Sequence, residues 1–337
     1  MDSTVHLLLV DVWLCFLGLF LTFYVVLDGF DLGIGVLSLF VREEERRGIM
    51  VASLGSVWDA NESWLVVLGG ALFGAFPLVY GVLLNALYLP ITVMIFALIF
   101  RGVAFEYREQ AKHRQVWNYA FGLGSLIAAL CQGFALGGLI AGPSISGEHF
   151  TGGPFDWLSS FSVLVAFGVV FGYVLLGATY LIIKTEGEAQ KHAIATAWIS
   201  GALMLIAAAG ISLWTPIRYP FIAEKWFGSG VISAFVIPPL FAIVCSLMLA
   251  RALIKRQETA PFIWSVGIFL CSLSGLAASF YPYLIPRSVT VEAAASDSLT
   301  LVIMMLGIGL LIPVMIVYNA YQYIVFRGKV SGPHYGS

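Results

Sequence analysis

The chain has 337 residues, 60% of them hydrophobic and only 11% charged, with a net charge of −2 and a mean hydropathy of +0.94. A soluble domain carries about 25% charge, so the composition excludes a soluble enzyme and leaves a polytopic membrane protein. The net charge of −2 says nothing about nucleic acid.

Nine apolar segments reach the roughly 20 residues that a bilayer-spanning helix needs. They lie near 11–40, 50–76, 78–105, 117–141, 159–183, 193–214, 231–254, 262–285 and 299–326. The fold class expected is therefore all-α, a single integral-membrane domain over 1–337. The first segment is about 45 Å long as a helix, so it tilts or protrudes. Only Pro77 and its neighbours separate the second from the third. No basic stretch precedes the first apolar run, which argues against a cleaved signal peptide.

Basic residues fix the orientation. Thirteen follow the odd-numbered spans: Arg42, Arg46, Arg47, Arg108, Lys112, Arg114, Lys184, Lys191, Arg251, Lys255, Arg256, Arg327 and Lys329. Three lie on the opposite side: Arg218, Lys225 and Arg287. The positive-inside rule then puts the N-terminus outside and the C-terminus in the cytoplasm. The outside loops near 142–158 and 215–230 are too short for a domain. Trp157, Trp214, Trp226, Tyr281 and Tyr283 at the outer ends, with Trp117, Tyr119 and Tyr323 at the inner ones, read as interfacial belts.

Glycine pairs four apart suggest close helix contacts: Gly29 with Gly33, Gly70 with Gly74, Gly133 with Gly137, Gly138 with Gly142, and Gly168 with Gly172. Pro90, Pro238, Pro239, Pro282 and Pro313 fall within or near span ends and are expected to kink them. Cys15, Cys131, Cys245 and Cys271 sit in apolar runs and read as buried, inert thiols.

The chemistry concentrates in the first three spans. Asp28 and Asp31 lie in VVLDGFDLGIG, Asp59 and Glu62 in SLGSVWDANESW, and Arg101 and Glu106 in IFRGVAFEYRE. Asp59 and Glu62 are three apart and share a helix face, with Trp58 and Asn61 beside them. Counted along continuous helices, Asp31 is about 16 Å, Asp59 about 18 Å and Arg101 about 10 Å from the nearest cytoplasmic basic residue. This reads as a file of charges entering from the inside, with both carboxyl pairs facing a common interior. A buried ion-pair knot around Arg101 is the plainer alternative. It leaves an excess of acid, because four carboxyls face one arginine, and so requires protonation or hydration of at least one. A carboxyl in that position suits a proton relay.

The histidines His6, His113, His149, His192 and His334 are all placed in loops or tails. No span then offers a histidine to iron, so any haem is expected in another subunit. A proton-coupled secondary transporter and a purely structural assembly subunit are the competing readings. Neither an inverted repeat nor a matched pair of broken helices favours the transporter.

The runs LDGFDLGIG, GSVWDANESWLVVLGGALFGAFP, YLPITVMIFALIFRGVAFEYR and YPYLIPRSVTVEAAASDSLTL resemble subunit II of the cytochrome bd quinol oxidases, nearly end to end. Glutamate after WDAN and the short outside loops are more similar to the cyanide-insensitive branch. The resemblance implies a heterodimer in a bacterial cytoplasmic membrane, built as two four-helix bundles plus a peripheral helix. It implies a subunit I that carries haems of b and d type, takes quinol as substrate and reduces dioxygen. This chain is then expected to hold no haem. A structural quinone or lipid is the candidate occupant in its place, and a small single-helix subunit is a candidate third partner. The resemblance further implies proton transfer through Asp59, with Glu62, Asp28 and Asp31 beside it. Arg101, Glu106, Trp58 and Asn61 are the expected supporting residues near the subunit boundary.

Overall fold

The computed structural model describes residues 3–55, 57–228, 232–330 and 332, so His334 and Ser56 of the acidic motif lie outside the described residues. The spanning elements are α1 (Ser3–Ser38), α3 (Val57–Ala75), α5 (Tyr88–Arg108), α6 (Arg114–Ala141), α7 (Ser160–Lys184), α8 (Gly187–Arg218), α10 (Ile232–Ile254), α11 (Ala260–Phe280) and α13 (Ser298–Val325). Shorter helices are α2 (Glu44–Leu54), α4 (Pro77–Ala86), α9 (Pro220–Phe227) and α12 (Val291–Ala294). Two small antiparallel hairpins, β1 (Ile145–Ser146) with β2 (His149–Phe150) and β3 (Tyr283–Ile285) with β4 (Val289–Thr290), close connections.

Eight of these helices are long and apolar enough to cross a membrane. The ninth, α3, has 19 residues, but Asp59, Asn61 and Glu62 make its first half polar. The second expected span is in fact two helices. Gly55 takes φ 60° and ψ −158°, a region open essentially to glycine alone, and the chain turns there between α2 and α3. The third expected span is likewise divided, with Leu87 at φ −115° and ψ 17° between α4 and α5.

Helices α1, α3, α5 and α6 form one group and α7, α8, α10 and α11 a second. Helix α13 packs outside, on α3 and α1. This matches two bundles plus a peripheral helix. The groups meet where α1 crosses α7. A Cβ on Gly33 would lie 1.8 Å from the Tyr173 carbonyl oxygen, so only glycine admits this approach. Lipid supplies no hydrophobic drive between helices, and such backbone contact replaces it. Gly133 and Gly137 likewise meet the α7 backbone at Ala166 and Ser162, whereas Gly70 faces nothing within 4 Å and Gly74 meets only the Met304 side chain. Of the Gly70–Gly74 pair, therefore, only Gly74 meets another helix, through a side chain of α13 and not through its backbone.

Pro238, Pro239 and Pro313 fall inside helices, Pro90 in the first turn of α5, and Pro282 beyond the end of α11. At the end rich in basic residues, Val330 N–H donates to the Lys184 carbonyl and Lys329 pairs with Glu258 at 2.6 Å. The Lys184 ammonium also bonds the Phe326 carbonyl. The tail after α13 is thereby tied to the end of α7 and the α10–α11 turn.

Candidate functional site

Helices α1, α3 and α5 bring the first-half charges together. Arg101, 2% exposed, points its guanidinium at α1, with Nη1 2.7 Å from Asp28 Oδ1. Its Nη2 lies 3.7 Å from Glu62 Oε2 on α3. Asp31 is one turn from Asp28 and equally buried, but among the described residues no ion pair reaches it. It accepts a hydrogen bond from Asn61 Nδ2 at 2.8 Å instead. The Asn61 amide also reaches the Leu27 carbonyl at 3.4 Å and accepts from the Tyr323 hydroxyl of α13 at 3.0 Å. Among the described residues, both Asp28 oxygens, Asp31 Oδ1 and the two Arg101 Nη atoms have no aligned hydrogen-bond partner. The Arg101–Asp28 contact is an ion pair at hydrogen-bond distance, while Glu62 at 3.7 Å is held by charge attraction.

The two acids of α3 part company. Glu62 is half-buried against Arg101, while Asp59 is exposed on the outer face of the helix. The shared interior expected for both carboxyls is therefore found for Glu62 only. The reason is angular: three residues advance a helix by about 300°, and the edge of the α1 contact falls within the remaining 60°. The depth also changes. Because the chain turns at Gly55, Arg47 is not on the same helix as Asp59, and Asp59 lies in the first turn of α3. Asp31 is seven residues from the end of α1 at Ser38, about 10 Å, and Asn61 is level with it. Counted along α1, the charge cluster lies in the half of the helix nearer the basic end.

The supporting residues divide similarly. The Trp58 ring packs 5.4 Å from Phe105 and lies over Gly102, closing the gap between α3 and α5. Glu106 is exposed on α5 and does not join the cluster.

Several polar residues escaped the sequence reading. Tyr323 was assigned to the interfacial belt but bonds Asn61 inside. Tyr24, one turn before Asp28, receives a hydrogen bond from Gln132 Nε2 at 2.7 Å, and the Tyr173 hydroxyl donates to Gln132 Oε1 at 2.5 Å. The i, i+4 spacing of Tyr24 and Asp28 was the available signal. One level nearer the basic end, Arg108 contacts Glu44 at 2.7 Å and Asn118 at 2.6 Å, while Asn118 donates to Glu44 at 2.9 Å.

With this geometry in place, the comparisons with known proteins are decisive. Residues 9–326 match the family described as cytochrome bd terminal oxidase subunit II. The chain belongs to this family. Among its relatives, the cytochrome bd-I ubiquinol oxidase subunit 2 of Escherichia coli is 28% identical, over 95% of this chain and 94% of that protein. The cytochrome bd ubiquinol oxidase subunit 2 of Bacillus subtilis is 27% identical, over 95% and 96%. In fold, the chain is similar to the solved bd oxidase from Geobacillus thermodenitrificans, with a TM-score of 0.76 at 19% identity, covering 95% of this chain and 99% of that one. The chain is thus a multi-pass membrane subunit of an oxidoreductase complex, and subunit II implies a subunit I.

The haem chemistry of the family can be tested against the residues of this subunit. His6 and His192 lie inside helices and not in loops, but near the ends of α1 and α8. His6 Nδ1 is 2.9 Å from Ser298 Oγ, and His192 Nδ1 is 2.9 Å from the Glu188 carbonyl. His113 and His149 are exposed. None of these described histidines projects into the centre of a helix group, so they do not fit a haem axial position, and no haem step is assigned to them.

Proposed function

We propose that this chain is the haem-free half of a quinol:dioxygen oxidoreductase in a bacterial cytoplasmic membrane, and that it gives its haem-bearing partner a proton path from the cytoplasm. The names of the curated relatives support quinol as the substrate of the complex. The concentration of basic residues at the end where α7, α8 and the α13 tail meet supports a cytoplasmic C-terminus and an outside N-terminus.

One observation carries the proton path. Asp59 is a carboxyl on the outer face of a helix in a membrane protein, and Glu62 behind it touches the Arg101 knot. Hydrocarbon does not tolerate such a carboxyl, so a partner subunit or water covers it. In this reading the partner subunit covers Asp59, and the path follows the seam between the two subunits. Making two waters from dioxygen consumes four protons, and the hydrocarbon core supplies none. Asp59 takes a proton at the basic end of the seam, and Glu62, one turn along, passes it on. Asp28 and Arg101 set the field behind Glu62, and Asn61 holds Asp31 in place.

Asp59→Asn keeps size and much of the hydrogen bonding but cannot release a proton. The expected result is an assembled complex with normal haem content, strongly slowed oxygen consumption and reduced proton uptake in liposomes. Wild-type turnover and uptake at full haem content would make Asp59 structural and move proton entry to the partner.

A further inference from the structure

The three basic residues at the other end of the bundle are scattered over 70 positions of sequence, yet the fold collects them at one mouth. Arg218 ends α8, Lys225 lies in α9, and Arg287 occupies the turn between β3 and β4. Arg218 and Arg287 both line a cavity of about 610 Å³ bounded by the ends of α6, α7 and α8. A second cavity beside it shares Phe221 and Arg287 and adds Lys225, whose ammonium bonds the Tyr281 carbonyl.

Three features make this a site and not a chance cluster. First, Arg218 and Arg287 form no ion pair among the described residues. Second, both are seated on aromatic rings. The Arg218 guanidinium lies 5.9 Å from the Tyr219 centroid and that of Arg287 5.0 Å from Phe221, and the two rings are 6.2 Å apart. Such seating holds a guanidinium and leaves its N–H edges free for an oxyanion. Third, Arg287 has φ +65°, a left-handed conformation uncommon for a residue with a side chain.

The chemistry around the arginines narrows the ligand. Phe161 packs edge-on against Trp214 and Tyr219, giving the cavity an apolar floor. On α8, Leu213 is 70% and Ile217 80% exposed, one turn apart and leading up to Arg218. Asp156 also lines the cavity, but its Oδ2 is engaged by the Gly153 N–H. The second carboxylate oxygen is an acceptor for a hydroxyl group. Paired cations, a hydroxyl acceptor and an adjoining apolar ramp suit a phosphate ester that carries a hydroxylated headgroup and hydrocarbon tails.

We propose that Arg218 and Arg287 form a phosphate-ester site at this mouth, with an anionic phospholipid such as phosphatidylglycerol, its tails along α8, as the ligand class. The site is remote from the Asp59 seam and stands independently of the proton path. Native mass spectrometry of the detergent-purified complex with its partner tests it. Phosphatidylglycerol is compared with diacylglycerol of the same chains, and inorganic phosphate is added as competitor. The wild-type complex should retain phosphatidylglycerol at least tenfold better than diacylglycerol. Arg218→Gln with Arg287→Gln should abolish that preference, with haem content and turnover unchanged. Displacement by millimolar phosphate would assign the site to free phosphate as well as lipid, and resistance to it would assign the lipid alone. If the double substitution fails to assemble, Arg287→Gln alone, in an exposed turn, should still lower retention several-fold. Equal retention of the two lipids, or retention unchanged in every assembled variant, would overturn the proposal.

Discussion

Two arginines on α5, seven residues and about two helical turns apart, are buried to the same degree and treated very differently. Arg108, 3% exposed, sits in a completed network in which Glu44 and Asn118 satisfy it and each other, and Glu44 also holds Arg47 at 2.6 Å. Arg101, 2% exposed, meets more acid than it can neutralise, and the polar atoms around it are left without aligned partners. A completed network rigidifies. The incomplete one, rich in carboxyls and adjoining an exposed Asp59, is where the proposed proton path runs. The Arg108 node fastens α2, α5 and α6, and the Arg101 knot fastens α1, α3 and α5 beside the acids of the proposed path.

The hardest strike at this contrast is Arg101→Ala. It strands Asp28 in a buried site, at a cost of about 3–5 kcal/mol for breaking a buried pair. The yield of assembled, haem-loaded complex should fall more than turnover per assembled complex does. Normal assembly with abolished turnover would make Arg101 part of the mechanism and not of the scaffold. Glu62→Gln comes next. Its side chain is 27% exposed, so water can bridge its place, and assembly should be normal with oxygen consumption lowered several-fold, less than in Asp59→Asn. Unchanged oxygen consumption would detach Glu62 from the path.

Arg108→Ala should act on stability alone. Glu44 is 42% exposed at its side chain and can rehydrate, so the loss is about 1.5–3 kcal/mol, the worth of a hydrogen bond to a charged group. The melting temperature of the complex should drop while turnover per haem holds. A turnover defect larger than that of Glu62→Gln would erase the distinction between the two arginines. The mildest change is Tyr323→Phe, which removes one donor to Asn61 and should cost about 1 kcal/mol. Thermal denaturation should register a small shift, and a large one would mean that α13 depends on this bond for docking.

The motifs around Asp28, Arg101 and WDAN announced that α1, α3 and α5 meet through their charges, because charges in apolar spans must find one another. They did not announce which face each would take. Asp59 and Glu62 share a helix side by spacing, but the boundary of the packed surface runs between them, and only the position of α1 decides where it falls. Tyr323 illustrates the same limit. At a span end a tyrosine reads as an interfacial anchor, and its hydroxyl turned to Asn61 because α13 happens to lie against α3.

Composition and hydropathy alone determined an all-α membrane protein, the approximate spans and the segregation of basic residues, since each follows from the cost of putting polar groups in hydrocarbon. Tertiary structure alone decided the turn at Gly55, the outward exposure of Asp59 and the gathering of Arg218 and Arg287 at one cavity. These depend on contacts between residues far apart in the chain. Hydropathy is a sum over neighbours in sequence and carries no term for them.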